Sequence, residues 1–123
     1  MSDRLQTIVL EGAWRMESYV RNGETVLLTG VLLLAAGRWS TLYFIAGPET
    51  GGHWGSAESG RYRMDGDRLT FHHELTFQGG AGKSLLIDLH SSTVESCPFT
   101  LRDETLKIHF PSGNTICCRR YSE

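Results

Sequence analysis

The stretch Glu58 to Phe77, ESGRYRMDGDRLTFHHELTF, decides the fold that we expect for this chain. Two runs of alternating apolar and polar residues flank the pair Asp65-Gly66, and such a pair is typical of a two-residue hairpin turn. Glycine adopts positive φ freely and aspartate tolerates it, so the turn and its flanking strands are mutually consistent. The stretch therefore predicts an antiparallel β-hairpin.

The turn also predicts which residues of the second strand share a face, because side chains alternate along a strand. We expect one row to face the core, namely Leu69, Phe71, His73, Leu75 and Phe77. A histidine among four large apolar residues is the sharpest chemical oddity of the sequence. Since desolvation disfavours the charged form, we expect a neutral imidazole with a lowered pKa.

Length and composition favour one small domain rich in turns. A chain of 123 residues buries roughly two thirds of its unfolded surface, so a single domain over residues 1–123 needs no metal or disulfide. Fourteen glycines, three prolines and many short apolar runs favour a β protein over a helical bundle. The net charge of −2, with both signs interspersed, argues against nucleic acid or an anionic membrane as a partner.

The cysteines and the first residues bear on the compartment. Cys97, Cys117 and Cys118 cannot all pair within one chain, and they lack the spacing of a zinc site, which indicates a reducing compartment. The start, MSDRLQTIVLEG, lacks the basic beginning and the longer apolar core of a secretory signal. Leu27 to Ala36 is far shorter than the ~20 residues that span a bilayer. We therefore expect a cytoplasmic protein with no cofactor and no metal.

Period-two alternation dominates the chain from Trp14 to Tyr121. It predicts about nine or ten short antiparallel strands, typical of an up-and-down β-barrel or a sandwich. Before it, Asp3 can cap a short helix over Arg4 to Leu10, which would act as a lid or plug. We expect an all-β fold, an antiparallel up-and-down barrel with this short N-terminal helix.

Two segments depart from simple alternation. Val31 to Ala36 is apolar on both parities, as expected for a strand that is covered on both sides or faces a partner subunit. Gly47 to Ser56 is the longest turn-rich segment and contains Trp54, an exposed-looking aromatic residue. This composition predicts a mobile loop that gates the barrel.

Three short motifs stand out together. They are the opening Gly12-Ala13-Trp14-Arg15 with Ser18-Tyr19, the hairpin Gly60-Arg61-Tyr62 to Asp65-Gly66-Asp67 and His72-His73, and the ending Arg119-Arg120. Together they resemble, over nearly the whole chain, the lipocalin-like domain proteins, small bacterial relatives of the calycin barrels.

The resemblance implies a ligand-holding barrel with a particular closure. In calycins the Trp of an N-terminal Gly-x-Trp packs against an Arg of the last strand and closes the barrel floor. Here Trp14 and either Arg119 or Arg120 would fill these positions, in a cation–π contact of about 1–2 kcal/mol when desolvated.

The first functional hypothesis is a carrier or sensor of a small apolar or amphipathic molecule in the barrel lumen. Such a pocket needs one or two polar groups to orient the ligand, and His73 is the candidate. Tyr62 and Trp14 would form an aromatic wall, and Phe71 and Leu75 flank His73 on its face. Glu58 shares the parity of Tyr62 and can reach the lumen mouth.

Other hypotheses remain open at this stage. A histidine on an apolar face is commonly a core residue bonded to a neighbour. The chain can instead be a cofactor-independent isomerase or cyclase with His73 as general acid or base and Tyr62 or Glu58 nearby. A filled barrel that only associates, as a homodimer through Val31 to Ala36, is the third hypothesis. Adjacent His72 and His73 point to opposite faces, so we expect no metal there.

Overall fold

The computed structural model describes residues 10–47, 52–80 and 85–121, and the elements that these residues form are β-strands. In chain order they are β1 Gly12–Arg21, β2 Glu24–Ala35, β3 Arg38–Gly47, β4 Gly52–Asp65, β5 Arg68–Gly80, β6 Leu86–Asp88, β7 Val94–Arg102, β8 Thr105–His109 and β9 Thr115–Arg120. The helix predicted over Arg4 to Leu10 lies, except for Leu10 itself, outside the described residues. Within the described part of the chain, no helix has the length and apolar character needed to cross a bilayer.

Eight of these strands close into an antiparallel barrel. In the barrel, β1 pairs with β2, β2 with β3, β3 with β4 and β4 with β5. The order then continues from β5 to β7, from β7 to β8 and from β8 to β9. Pairing of β9 with β1, where Trp14 lies opposite Arg120, closes the ring. The short β6 pairs with the far end of β5. The prediction of an all-β antiparallel barrel is therefore confirmed.

The central hairpin is present, but its turn lies one residue later than predicted. Asp65 pairs with Arg68, so the two central turn residues are Gly66 and Asp67. Gly66 has a φ of 62°, whereas Asp67 is not among the described residues with positive φ. This is the pattern of a type II′ turn, in which glycine occupies the first central position.

A β-bulge in β5 breaks the alternation that the sequence predicts. Leu75 pairs with Ser59 and His73 pairs with the next residue of β4, Gly60, so Glu74 is an extra residue. Beyond it the side chains change face, and Leu75 and Phe77 are 45% and 48% exposed. The prediction that they face the core is wrong, because one extra residue reverses the parity of the remaining strand.

A second bulge lies at Glu17 in β1. Met16 pairs with Cys118 and Ser18 pairs with Cys117 of β9, which leaves Glu17 without an opposite residue. Before the bulge, Met16 is buried as alternation predicts. After it, Tyr19 faces the barrel interior, although alternation from an inward Trp14 would place Ser18 there.

The segment predicted as a gating loop is largely strand. β3 extends to Gly47 and β4 begins at Gly52, and Ser56 is a buried residue of β4. Trp54 pairs with Ile45 across the hairpin. The loop prediction is wrong for residues 52–56, and residues 48–51 lie outside the described part of the chain.

The apolar segment Val31 to Ala36 is the end of the continuous strand β2 and the start of the following turn. Leu32 and Leu34 are buried, whereas Leu33 is 45% exposed. The segment is apolar on both parities because one face contributes to the core and the other belongs to an apolar outer surface.

One end of the barrel is closed by Trp14, which is fully buried and donates a hydrogen bond from Nε1 to the Leu10 carbonyl oxygen at 2.9 Å. The guanidinium carbon of Arg120 lies 4.1 Å from the indole centroid, and Nη1 of Arg120 donates to the Glu11 carbonyl oxygen at 2.9 Å. Arg119 is exposed on the outer side of β9. Of the two arginines left open by the sequence, Arg120 is the one over Trp14.

Candidate functional site in the barrel lumen

A cavity of about 210 Å³, here called the lumen cavity, lies inside the barrel and extends to the turn that follows β8. Its apolar lining consists of Met16, Leu32, Trp39, Phe71, Ile108, Phe110 and Ile116. Its polar lining consists of Tyr19, Thr41, Tyr43, Glu58, His73, Glu95, Ser112 and Asn114. The barrel is therefore hollow, with room for a small molecule.

The chemical centre of the cavity is His73, which lies between two carboxylates. Its Nδ1 is 3.1 Å from Oε2 of Glu58, and its Nε2 is 2.6 Å from Oε1 of Glu95. The three side chains are 13%, 16% and 28% exposed in the order His73, Glu58 and Glu95. An ionised carboxylate only accepts hydrogen bonds, and only a protonated imidazole has an N–H on both ring nitrogens. The geometry therefore fits an imidazolium between two carboxylates.

The protonation of His73 follows from these contacts. Hydrogen bonds to Glu58 and Glu95 raise the pKa of His73 to about 9, although burial alone would lower it. Our prediction of a neutral imidazole with a lowered pKa is wrong for this reason. At neutral pH His73 is charged, and the carboxylate–imidazolium cluster of Glu58, His73 and Glu95 carries a net charge of about −1.

Strands β4 and β5 approach closely at His73, next to the bulge at Glu74. Gly60 lies opposite His73, and a Cβ at Gly60 would overlap the carbonyl oxygen of His72. That carbonyl oxygen accepts a hydrogen bond from Nε1 of Trp39 at 3.2 Å. The Trp39 ring packs edge-on against the His73 ring, with centroids 4.9 Å apart. Glycine at position 60 is therefore required for this close approach of strands.

The extra residue of the bulge is fixed on the outside of the barrel. Glu74 accepts a hydrogen bond from Arg38 Nη2 at 2.6 Å and lies 3.2 Å from Nε of Arg61. These are solvent-accessible ion pairs, which contribute modestly to stability. They do show that two successive residues of β5, His73 and Glu74, place their charged groups on opposite sides of the barrel wall.

The two carboxylates of the cluster differ in their remaining contacts. Glu58 accepts a second hydrogen bond, from the Ser56 hydroxyl to Oε1 at 3.2 Å, and Gln78 Nε2 lies 3.5 Å from that hydroxyl oxygen. In contrast, no hydrogen bond between described residues uses Oε2 of Glu95. Glu95 therefore retains an accepting oxygen that a ligand can use.

Polar groups also lie at the cavity wall away from the cluster. Asn114 Nδ2 donates to the Tyr19 hydroxyl oxygen at 2.6 Å, which ties the turn after β8 to β1. Burial raises the pKa of Tyr19 and of Tyr43, so both phenols are neutral at physiological pH. The walls are therefore aromatic and uncharged around one charged cluster.

The predicted site residues fall into two groups in the structure. Phe71, His73 and Glu58 line the lumen cavity. Leu75 lies on the outer surface because of the bulge, and Tyr62 is buried outside the cavity lining. The hydroxyl of Tyr62 has no hydrogen-bond partner among the described residues. Trp14 likewise belongs to the closed end rather than to the wall of the lumen cavity.

Several lining residues were missed by sequence reasoning. Nothing in the sequence links Glu95 to His73, and the pairing of β5 with β7 is what brings the two together. Trp39 and Tyr43 lie on β3, whose inward parity alternation alone does not decide. Simple alternation from an inward Trp14 would place Tyr19 outside, and the bulge at Glu17, which has no signal in the alternation, brings it to the lumen.

The buried thiols do not form part of this site. Cys97 and Cys118 are both fully buried and neither lines the lumen cavity. Burial raises the pKa of each to about 12, so they are protonated and poor nucleophiles at neutral pH.

Comparison with known proteins leaves the fold and the cavity as the main guides to function. No protein-family model matches the chain, and no curated protein matches it. Among the described residues, no group of three or more His, Cys, Asp or Glu side chains is arranged to hold a metal ion. By its fold and its cavity the chain is a hollow, closed, antiparallel β-barrel.

Proposed function

We propose that this chain is a lipocalin-like barrel that binds one small amphipathic molecule in its lumen. The observation that carries the proposal is the 210 Å³ cavity, which has apolar walls and a single charged cluster. A dry protein cavity of about 150 Å³ holds a benzene molecule, so the lumen suits a ligand of about one substituted aromatic ring. The contact of Trp14 with Arg120, which the family resemblance implies, supports the lipocalin-like assignment.

The division of the lining is the reason for proposing an amphipathic ligand. Met16, Leu32 and Ile108 offer an apolar surface on which a ligand gains roughly 25 cal/mol per Å² that it removes from water. Among the described residues that line the cavity, only the cluster around His73 is charged, and it fixes the orientation of a polar end. Phe71, His73 and Glu58 are thus proposed as ligand contacts.

The same geometry favours binding over the catalytic alternative. A general base must be unprotonated at the working pH, and the pKa of His73 is raised to about 9 by its hydrogen bonds to Glu58 and Glu95. A charged His73 with both nitrogens engaged is better suited to hold the cluster in place than to exchange protons with a substrate. We therefore propose a carrier or sensor rather than an isomerase or cyclase.

Native mass spectrometry of the protein as purified, followed by small-probe titration, tests this function. Intrinsic tryptophan fluorescence reports binding, because Trp39 lies in the cavity wall. Thr41→Phe fills the lumen and should abolish binding of benzyl alcohol, whereas Thr100→Phe, the same exchange at an exposed position of β7, should not. Equal binding by both variants would contradict a lumen site.

A second property, self-association, is favoured by an apolar surface on the outside of β2 to β6, here called the outer apolar surface. It consists of Leu33, Leu42, Phe44, Leu75, Phe77 and Ile87, which are 45–61% exposed. Strand register aligns Leu42 with Ala57, Ala57 with Phe77 and Phe77 with Ile87, in one row across the sheet. The small residues Gly55, Ala57 and Gly79 leave a groove there.

The occupant proposed for this surface is a second copy of the chain. Six half-exposed side chains at about 100 Å² each supply roughly 600 Å², near the ~800 Å² per partner of a standard interface. The positions named are uncharged and the rim carries the Arg38, Arg61 and Glu74 ion pairs, the arrangement of an apolar interface core with a polar edge.

Analytical ultracentrifugation tests the association. Leu42→Glu should convert a dimer to a monomer, whereas Val94→Glu, at an exposed valine on β7, should leave the dimer intact. A wild-type protein that is monomeric at high micromolar concentration would contradict the proposal, as would a dimer that withstands Leu42→Glu.

A further inference from the structure

The charge of the lumen specifies the kind of ligand more narrowly than its shape does. Two carboxylates face one imidazole, and the other residues that line the lumen cavity are apolar, hydroxyl-bearing or amide side chains. Arg21 influences the nearby Tyr19 hydroxyl, but it is exposed and does not line the cavity. The cavity therefore contains one negative charge more than it contains positive charges when His73 is protonated.

An unbalanced charge that is partly removed from water is costly unless a ligand compensates it. Glu58 has both oxygens engaged, by His73 and by Ser56. Glu95 uses Oε1 for His73, while no hydrogen bond between described residues reaches its Oε2. The unbalanced negative charge is thus most accessible to a ligand at Glu95.

The walls around the cluster also suit a positive charge. Trp39, Tyr43 and Tyr19 line the cavity, and aromatic faces attract cations through their quadrupole. Neutral phenols, whose pKa values burial raises, keep this surface uncharged. The same walls would give an anion no hydrogen-bonding cation except an imidazolium that is already held by two carboxylates.

We propose that the lumen selects a small organic cation, an ammonium group on an apolar body of about one aromatic ring, with its charge against Oε2 of Glu95. This inference rests on the proposed function, since it names the ligand class of the same cavity. The ammonium donates to Glu95, and the ring packs on the apolar wall formed by residues such as Met16 and Leu32.

Three probes of nearly equal size separate charge from shape. Benzylammonium, benzyl alcohol and benzoate are titrated at pH 7 and followed by tryptophan fluorescence and calorimetry. Benzylammonium should bind at least tenfold more tightly than benzyl alcohol, and benzoate should bind most weakly. Glu95→Gln should reduce the preference for the cation over the alcohol to threefold or less, since an uncharged amide then replaces the carboxylate at the proposed ammonium contact.

The matched control is Glu74→Gln, the same exchange at the outward neighbour of His73, which should leave the preference unchanged. If Glu95→Gln does not fold, Glu58→Gln makes the same change of charge, and the three-probe comparison in the wild-type protein stands by itself.

Benzyl alcohol binding as tightly as benzylammonium would overturn the cation assignment and leave the proposed function intact. A preference that persists in the folded Glu95→Gln variant would overturn the role of Glu95. Failure of all three probes to bind would overturn both the assignment and the proposed function.

Discussion

The guanidinium of Arg120 lies over the indole of Trp14, with its central carbon 4.1 Å from the ring centroid. Its Nε is also 3.4 Å from a carboxylate oxygen of Glu104, and its Nη1 donates to the carbonyl oxygen of Glu11. Arg120 of β9 therefore contacts both Glu11, which precedes β1, and Glu104, which lies in the turn before β8. This contact closes one end of the barrel and leaves the lumen cavity toward the other.

Removal of the indole should destabilise the fold strongly. Trp14→Ala is expected to lower the free energy of unfolding by about 3–5 kcal/mol, through lost burial and an internal cavity. In a double-mutant cycle with Arg120→Ala, measured by urea denaturation, the coupling should be about 1–2 kcal/mol. Arg119→Ala is the control and should show no coupling to Trp14. Equal coupling for the two arginines would contradict the assigned contact.

The charge of His73 makes stability depend on pH. Its pKa is about 9 in the folded protein against 6.5 for an ordinary histidine, so the folded state binds the proton more tightly. This stabilisation is fully present below pH 6.5 and is lost as the pH rises through 9. It amounts to roughly 3 kcal/mol at about 1.4 kcal/mol per pKa unit.

The stability difference between the wild-type protein and His73→Gln isolates this effect. We expect the difference to be about 3 kcal/mol more favourable to the wild type at pH 6 than at pH 9.5, by chemical denaturation. The comparison also cancels the pH-dependent contribution of the buried thiols of Cys97 and Cys118. Their raised pKa destabilises both proteins equally above pH 9. A difference that does not change with pH would show that His73 is not held in the charged form.

The carboxylates that hold the proton can be tested one at a time. Nuclear magnetic resonance of the imidazole ring gives the pKa of His73 directly. Glu58→Gln and Glu95→Gln should each lower it toward 6.5, because each removes a charge-assisted hydrogen bond. Glu74→Gln should leave it unchanged, and a fall of similar size in that variant would point to long-range charge rather than to the two contacts.

Two glycines of β4 should respond in opposite ways to the same substitution. A Cβ at Gly60 would overlap the His72 carbonyl oxygen, whereas at Gly55 its nearest neighbours are 3.8 Å away. Gly60→Ala should therefore destabilise the protein by about 1–3 kcal/mol and disturb the position of His73. Gly55→Ala should be neutral or stabilising by up to ~1 kcal/mol. Thermal unfolding compares them, and equal effects would contradict the close packing at the bulge.

The barrel itself was predictable because its signals are local. Alternating residues and turn pairs such as Asn22-Gly23, where both residues have positive φ, specify strands and tight hairpins within a few positions. Trp14, Leu69 and Phe71 are buried as their parity predicts. These features depend on neighbours in the sequence, so a single chain suffices to infer them.

The faces of the strands beyond the bulges were not predictable from alternation. Leu75 and Phe77 are apolar although they point outward, so the hydrophobic pattern of β5 continues smoothly through the bulge at Glu74. An apolar outer surface thus conceals the reversal of parity. The partner Glu95 could not be found either, because its contact with His73 depends on the pairing of β5 with β7 rather than on sequence spacing.

The central claim is that a small molecule binds inside the barrel beside His73, and intermolecular nuclear Overhauser effects test it most directly. With benzylammonium or benzyl alcohol at saturating concentration, we predict effects from the probe to the Met16 methyl group and to the His73 ring protons. Both groups line the lumen cavity. The claim would be contradicted if nuclear Overhauser effects from the probe reached only Phe77 and Leu42 of the outer apolar surface. It would also be contradicted if none reached a residue that lines the lumen cavity.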